Sequence, residues 1–486
     1  MSETISADYL VIGAGAMGLA FVDTILSDTD KTVILVDRYA RPGGHWTTAY
    51  PFVRLHQPSF AYGVNSRRLD RGTVDKVGWN KGLQELATRD EVTAYFEIVM
   101  RETFLPSGRV KYFPKHEYVA EGEFRSILTN KTYRYEIGDQ SRIVDATYSK
   151  AVVPSMRPPP YDVAANVDLV TPNNLPGIKR AYANYTVVGA GKTAIDTALW
   201  MLANGIEPSS ITWIMPRDSF FLTRESVQLG PEFAAQVGGA KKAEHEAILA
   251  SSSVEECLKR QADEGLLPSF DSKVWPTMFH CASVSAIELN AARGIKNIIR
   301  KGRVIKITAG EVTLTKGSYQ PVPDTLYIDC TANGLAKHPP VPVFQGRNIV
   351  LQPVRVCQQV FSAAFIAHAE STYNDEEEKN RLCNPIPMPD KPRDWFLTSL
   401  QTNLNWLEWA KHPKTMEWVS NSRLDFFGRL MPPVPEDPQG KAAYYAQFLG
   451  VAKAVSAKLK ELLEKDPEKG ANVSTELKGF PLESIS

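Results

Sequence analysis

Cysteine is scarce: five residues in 486, at Cys257, Cys281, Cys330, Cys357 and Cys383. An odd, scattered set with no C-x-x-C excludes a disulfide framework, a zinc ribbon and a redox-active dithiol pair of the usual spacing, and no metal site is expected. Charge of one sign is not in excess, since Lys plus Arg and Asp plus Glu both number 55. That balance argues against a nucleic-acid binder held by bulk charge and against a polybasic membrane anchor. There is no apolar run of about 18 residues, the length a membrane-spanning helix needs. The first residues carry no basic region of a signal peptide and lead straight into a strand and a glycine loop. What remains is an expectation of a cytoplasmic enzyme. Its hydrophobic content of 43% and charged content of 23% are ordinary for a globular protein. Its length allows roughly two to four domains.

What is present is one motif written twice, YLVIGAGAMGLAFVDTIL at 9–26 and YTVVGAGKTAIDTALWML at 185–202. Each reads as a short β-branched run, then glycines, then a segment of helical period. Each is followed by a further apolar strand, TVILVD at 32–37 and ITWIMP at 211–216. Two such βαβ units predict two dinucleotide-binding domains with parallel sheets, an α/β fold. Between them, 90–105 reads as a helix with Asp90 as N-cap, and 109–137 as an antiparallel meander. The stretch 154–177 reads as an extended linker, and 231–300 as mostly helical. A helix is expected over 358–370, further helices over the last hundred residues, and a polar tail after Asp466.

In the first unit Gly13, Gly15 and Gly18 form G-x-G-x-x-G directly after a strand. The glycines permit a tight turn, a close approach of backbone to a diphosphate, and close helix–sheet packing. The free amides and dipole of the helix N-terminus favour the anion. Asp37, followed by Arg38, closes the next strand at the distance the fingerprint requires and accepts from ribose hydroxyls. A second glycine pair precedes His45 and Trp46 (Gly43, Gly44). It lets backbone approach another part of a long ligand, which suits FAD across this sheet. In the second unit Gly189 and Gly191 keep their roles and Ala194 replaces the third glycine, with Lys192 and Thr193 inside the loop. The next strand ends without an acid, at Arg217. An acid there repels a 2′-phosphate and an arginine pairs with it, so the second cofactor is expected to be NADPH.

These motifs, in the order GAGAMG, Asp37, GGHW, GAGKTAID and arginine, resemble the flavin-containing monooxygenase and Baeyer–Villiger monooxygenase superfamily. The likeness covers about 1–220 well and 320–370 loosely. It implies tightly bound FAD, reduced by NADPH and reacting with O2 to a C4a-(hydro)peroxyflavin that oxygenates a small organic substrate. It also implies an NADP domain inserted into the FAD domain, with LYIDCTANG (326–334) returning to the latter. The expected organisation is therefore an FAD domain over 1–175 and an NADP domain with a helical excursion over 176–323. A return segment follows over 324–375, then a helical cap and tail over 376–486.

Three places depart from the family pattern. The signature F-x-G-x-x-x-H-x-x-x-[FYW] is absent, where DLVTPNNLPGIKRAY stands instead. The family's Gly-Asp near the end of the FAD domain is not evident. His56 or Gln57 stands where the family places an asparagine facing both cofactors. The chain reads as a divergent branch, and His56 and Gln57 are the expected catalytic pair, as donors or proton carriers beside the flavin. Gln358 and Gln359 are expected to open a helix whose N-terminus faces the flavin and favours its anionic reduced form. Arg54 and Arg224 are weighed between the cleft and the framework, and Cys330 and Cys357 are expected as small core residues. The alternative activity is that of a flavin oxidase or dehydrogenase without oxygen insertion. A non-catalytic nucleotide binder is disfavoured by the second fingerprint. Expected partners are a small-molecule substrate and O2, with no nucleic acid and no membrane; oligomeric state is left open.

Overall fold

The computed structural model describes residues 3–120, 122–332, 334–336, 338–430 and 435–466, the side chain of Lys441 apart; the polar tail lies outside them. The α/β class holds, with one all-parallel sheet and one parallel but for an edge hairpin. The first unit runs β1 (Tyr9–Ile12), α1 (Ala16–Asp28), β2 (Val33–Asp37), α2 (Arg89–Val99), β3 (Val110–Pro114) and β4 (Arg142–Asp145). β2, VILVD, is buried at every position, as a strand covered on both faces must be. The second sheet is built from β5 (Asp168–Val170), β6 (Asn184–Val188), β7 (Ile211–Ile214), β10 (Asn297–Ile299) and β11 (Thr325–Asp329), and α3 (Lys192–Ala203) follows β6. Its order is β5-β11-β6-β7-β10, all parallel. Between β7 and β10 lie β8 (Ser219–Thr223), α4 (Ala234–Ala250), α5 (Val254–Asp263), β9 (Met278–Val284) and α6 (Ala286–Ala292).

The first sheet is completed from far along the chain. The hairpin β12 (Phe344–Gln345) and β13 (Asn348–Val350) gives the order β12-β13-β4-β1-β2-β3, with Ile143 opposite Asn348. The LYID run expected to return to this sheet pairs instead with β6, Val187 opposite Ile328. Its five buried or half-buried residues fit a central position between two parallel neighbours. The return is made by NIV, a strand too short to show a period.

The helix α7 (Gln359–Thr372) is buried over ten consecutive residues from Val360 and lies along α1. The remaining helices are α8 (Glu376–Leu382), α9 (Asp394–Trp409), α10 (Pro413–Asn421), α11 (Phe426–Arg429) and α12 (Pro438–Lys465). α9 and α12 pack on the excursion to form a third core. Leu400, Leu404, Leu459 and Leu462 meet Ile248, Leu258 and Phe279 there. The meander begins only at His116, as His116–Ala120, Glu123–Ser126 and Thr132–Tyr135 with Glu3–Ile5 added at its edge, while Val110–Pro114, expected within it, is β3 and pairs parallel with β2.

Two local expectations are corrected. Thr88, not Asp90, caps α2, because its hydroxyl accepts from the Glu91 amide while the Glu91 side chain returns to the Thr88 amide. The 231–300 stretch contains the seven-residue strand β9, whose partner β8 lies some sixty residues away.

Candidate functional site

The first glycine loop leaves β1 and enters α1 without any side chain capping the helix. Its first-turn amides therefore form an electropositive cradle that fits an anionic diphosphate. A Cβ on Gly18 would overlap the Gly13 carbonyl oxygen, so the helix packs against its own loop only with glycine there. Gly44, at φ +57, lies so close that a Cβ on it would stand 2.8 Å from Cα of Gly15. The Gly43 amide donates to the Ala14 carbonyl at 2.8 Å. The two glycine pairs thus meet backbone to backbone.

Asp37 accepts from the Ala14 amide at 2.6 Å and the Tyr39 amide at 2.7 Å. Burial nonetheless raises its pKa, and each oxygen keeps a further lone pair. Arg38 beside it is exposed. Trp46 is anchored through its indole N–H to the Tyr62 hydroxyl at 2.6 Å. The neighbouring His45 is held neutral by burial, its pKa lowered to about 4.

The second loop repeats the geometry. Gly189 abuts the Cys330 carbonyl, and Gly191 precedes an α3 that no side chain caps. Thr193 is half-buried in the first turn. Lys192 turns inward onto Asp196, with Glu288 at 3.7 Å. Arg217, beyond the end of β7, forms a two-pronged pair with Asp390 at 3.1 and 3.2 Å. The same carboxylate meets Nε2 of His280 at 3.0 Å.

A buried polar cluster joins the two units. The Tyr50 hydroxyl donates to Asp196 at 2.8 Å, and Phe52 stacks on Trp200 with centroids 5.2 Å apart. Arg224 is fully buried. It donates to the His56 carbonyl, Asn80, the Ser283 carbonyl and Glu288 at 2.7–3.1 Å. This guanidinium is part of the framework, holding the His56 backbone. Burial works against the charge of both acids. It raises the pKa of Asp196 even against Lys192, whereas Lys192 and Arg224 together keep Glu288 below the usual range. Burial, with the charges of Lys192 and Arg224, lowers His56 to about 3. Its Nδ1 accepts from the Ser283 amide at 3.3 Å, so Nε2 carries the hydrogen of the neutral ring. Arg54 instead pairs with Asp75 at 3.3 Å near the surface.

His56, Gln57 and Gln358 come together in a cavity of about 100 Å³ walled mainly by apolar side chains, among them Leu222, Leu267, Val356, Trp395, Phe426 and Phe427. Gln358 is the N-cap of α7 and Gln359 its first residue. The amide oxygen of Gln358 is buried without a hydrogen-bond partner, an acceptor left for a ligand's N–H or O–H.

Cys357 lines the same cavity and is disulfide-bonded to Cys281. This corrects its reading as a plain core residue, while Cys330 is a buried free thiol. A pairing across 76 residues leaves no local signal in sequence. Asp390 and Glu288 were also missed. Only Glu288 had one, the Ser285-x-x-Glu288 capping box opening α6. Among the described residues no group of side chains is arranged to hold a metal, and no helix is long and apolar enough to cross a membrane.

No protein-family model matches the chain. It is similar in structure to closed cyclohexanone monooxygenase, at 15% identity over 76% of this chain and 85% of that one, TM-score 0.46. It is also similar to a flavin monooxygenase from Stenotrophomonas maltophilia, at 15% identity over 79% and 100%, TM-score 0.43. A third is OTEMO in complex with FAD and NADP, at 13% over 75% and 83%, TM-score 0.45. In sequence it is 48% identical, over 94% of its length and 85% of theirs, to uncharacterized protein Rv2000 of Mycobacterium tuberculosis and uncharacterized protein Mb2023 of Mycobacterium bovis. The chain therefore belongs to the family of these mycobacterial proteins.

Proposed function

We propose that the chain is an FAD-dependent, NADPH-using monooxygenase acting on a small apolar substrate. The observation that carries the reading is a pair of glycine loops, each at the carboxyl end of a parallel sheet strand and each opening an uncapped helix. In open α/β sheets ligands bind at those ends. Gly13, Gly15, Gly18, Asp37 and Arg38, with the Gly44-His45-Trp46 turn, are assigned to FAD. Gly189, Gly191, Lys192 and Thr193 are assigned to NADPH, and Arg217 to its 2′-phosphate in exchange for Asp390. When bound, FAD supplies a ring that takes two electrons from NADPH and passes them to O2.

The chain's own part is to orient and to exclude water. The apolar walls hold the substrate. The unpaired Gln358 oxygen accepts a hydrogen bond, and the neutral His56 offers its Nε2 hydrogen. Gln57 adds an amide that donates and accepts without changing charge. The two charged residues of the lining, Lys241 and Glu244, neutralise each other in an ion pair at 2.8 Å, and with this neutral polar set and the apolar wall they support an uncharged substrate.

The test is purification followed by anaerobic reduction and oxygen. One FAD per chain, faster reduction by NADPH than by NADH, and isotopically labelled O2 incorporated into an apolar product are expected. Reduction by NADPH with all the oxygen recovered as hydrogen peroxide, whatever the substrate, would place the chain among oxidases. Colourless protein that cannot be reconstituted with FAD overturns the reading.

A further inference from the structure

We propose that Cys281 and Cys357 are a redox-active pair that exchanges with low-molecular-weight thiols and disulfides entering the pocket. This goes beyond the flavin reading and does not rest on it. The two sulfurs belong to different elements, Cys281 to β9 and Cys357 to the residue before the N-cap of α7, and both residues line the cavity shared by His56, Gln57 and Gln358. Both hold φ near +54. Non-glycine residues rarely sit there, and such positions cluster at functional sites.

The two sulfurs are not equivalent. Cys281 is buried, at 6% exposure, while Cys357 is half-buried. Cys357 also precedes a fourteen-residue helix whose first turn no side chain caps, a position that favours a thiolate. The remaining cysteines, Cys257, Cys330 and Cys383, are buried free thiols. The disulfide lies in the wall of the cavity of about 100 Å³, and the half-buried Cys357 is the sulfur nearer to solvent.

The exchange is a two-step transfer. A small thiol loses its proton and its thiolate attacks Sγ of Cys357. The Cys357–Cys281 bond breaks and Cys281 takes up the proton. A second thiol then attacks the small-molecule sulfur of the mixed disulfide. One small disulfide is released and Cys357 leaves as a thiol. Two thiols are oxidised, the protein disulfide is reduced by two electrons, and two protons move from the small thiols to the cysteines. The reverse sequence, with Cys357 as nucleophile and Cys281 resolving, reoxidises the pair.

The experiment uses the full chain and glutathione as probe. Folded protein is equilibrated in oxidised or reduced glutathione, alkylated without denaturant and mapped by mass spectrometry, with circular dichroism recorded in parallel. A Cys281–Cys357 cross-link is expected in the oxidised sample. In the reduced sample it is lost with the fold unchanged, and Cys357 is alkylated on the order of tenfold or more faster than Cys257, Cys330 or Cys383. In Cys281→Ser, oxidised glutathione should leave a stable adduct on Cys357. No cross-link under oxidising conditions overturns the proposal, as does a cross-link that resists reduction until the protein is unfolded. If Cys281→Ser fails to fold, the wild-type titration alone decides. Neither measurement uses FAD or NADPH, so failure of the flavin reading leaves it intact.

Discussion

The hydroxyl of Tyr50 donates to the carboxylate of Asp196 across 2.8 Å. With that bond the segment after the first glycine loop grips the first turns of the helix that follows the second. Burial raises both pKa values and keeps the phenol protonated. Tyr50→Phe leaves a buried carboxyl with Lys192 as its remaining close partner. It should lower stability by about 1.5–3 kcal/mol, the range for a hydrogen bond to a charged group. Denaturant unfolding followed by fluorescence measures this; a change below about 0.5 kcal/mol would mean that water replaces the phenol.

Arg224→Met should be far worse. It leaves Glu288 with the more distant Lys192, at 3.7 Å, as its remaining cation and removes four hydrogen bonds from a fully buried site, so a loss of about 3–5 kcal/mol is expected. Arg54→Ala, on a surface pair, is the control and should stay within about 1 kcal/mol. Equal losses in the two variants would contradict the framework role of Arg224.

Arg217 and Asp390 predict opposite effects. Arg217→Ala should lower kcat/KM for NADPH by about ten- to a hundredfold, the worth of a charge-assisted bond to phosphate, and leave NADH nearly unchanged. Asp390→Asn loosens the two-pronged pair and should lower KM for NADPH. Parallel losses with both nucleotides would make Arg217 a structural residue.

His56 is held neutral, with a pKa near 3. It should therefore contribute no limb to the rate profile between about pH 5 and 8. His56→Ala should leave FAD content intact and reduce turnover by about 10- to 1000-fold through the lost donor. The unfolded imidazole takes up a proton near its ordinary pKa of about 6.5. Stability from the neutral ring is thus complete above about pH 6.5 and is lost as the pH falls towards 3. His56→Gln should flatten that acid decline. A ring signal that disappears in His56→Gln and titrates near neutrality in the folded wild type would contradict the assignment.

Gly44→Ala tests the contact between the glycine pairs. Its Cβ would collide with Gly15 from a left-handed backbone, so FAD retention should fall, measured as absorbance per chain after gel filtration. Full retention would mean that the turn does not shape the site.

The two glycine units were legible because strand, turn and helix are consecutive and their periods local. The helix from Gln359 was legible for the same reason, since its helical spacing is local; its burial over ten residues, His368 among them, was not read. The neighbours of β11 were not legible. Thr325–Asp329 is apolar enough for either sheet, and its place is decided by pairing with Asn184–Val188. In the site, His56 and Gln57 were found because they follow the second glycine pair, where the resembled superfamily places an asparagine, and Gln358 because it opens a helix; the three meet in one cavity. The Asp390 clamp on Arg217 and the sulfur pair were not found, because each joins segments whose approach depends on the whole fold.

The strand Asn348–Val350 has a consequence for how the molecule is made. Its partner Arg142–Asp145 leaves the ribosome some two hundred residues earlier, and α7, which covers α1, follows the strand. The second sheet, between Asp168 and Asp329, lies wholly inside that interval. During synthesis it has every strand it needs while the first sheet still lacks an edge and the helix over its core. The amino-terminal unit, first to emerge, thus closes only after the second sheet is complete.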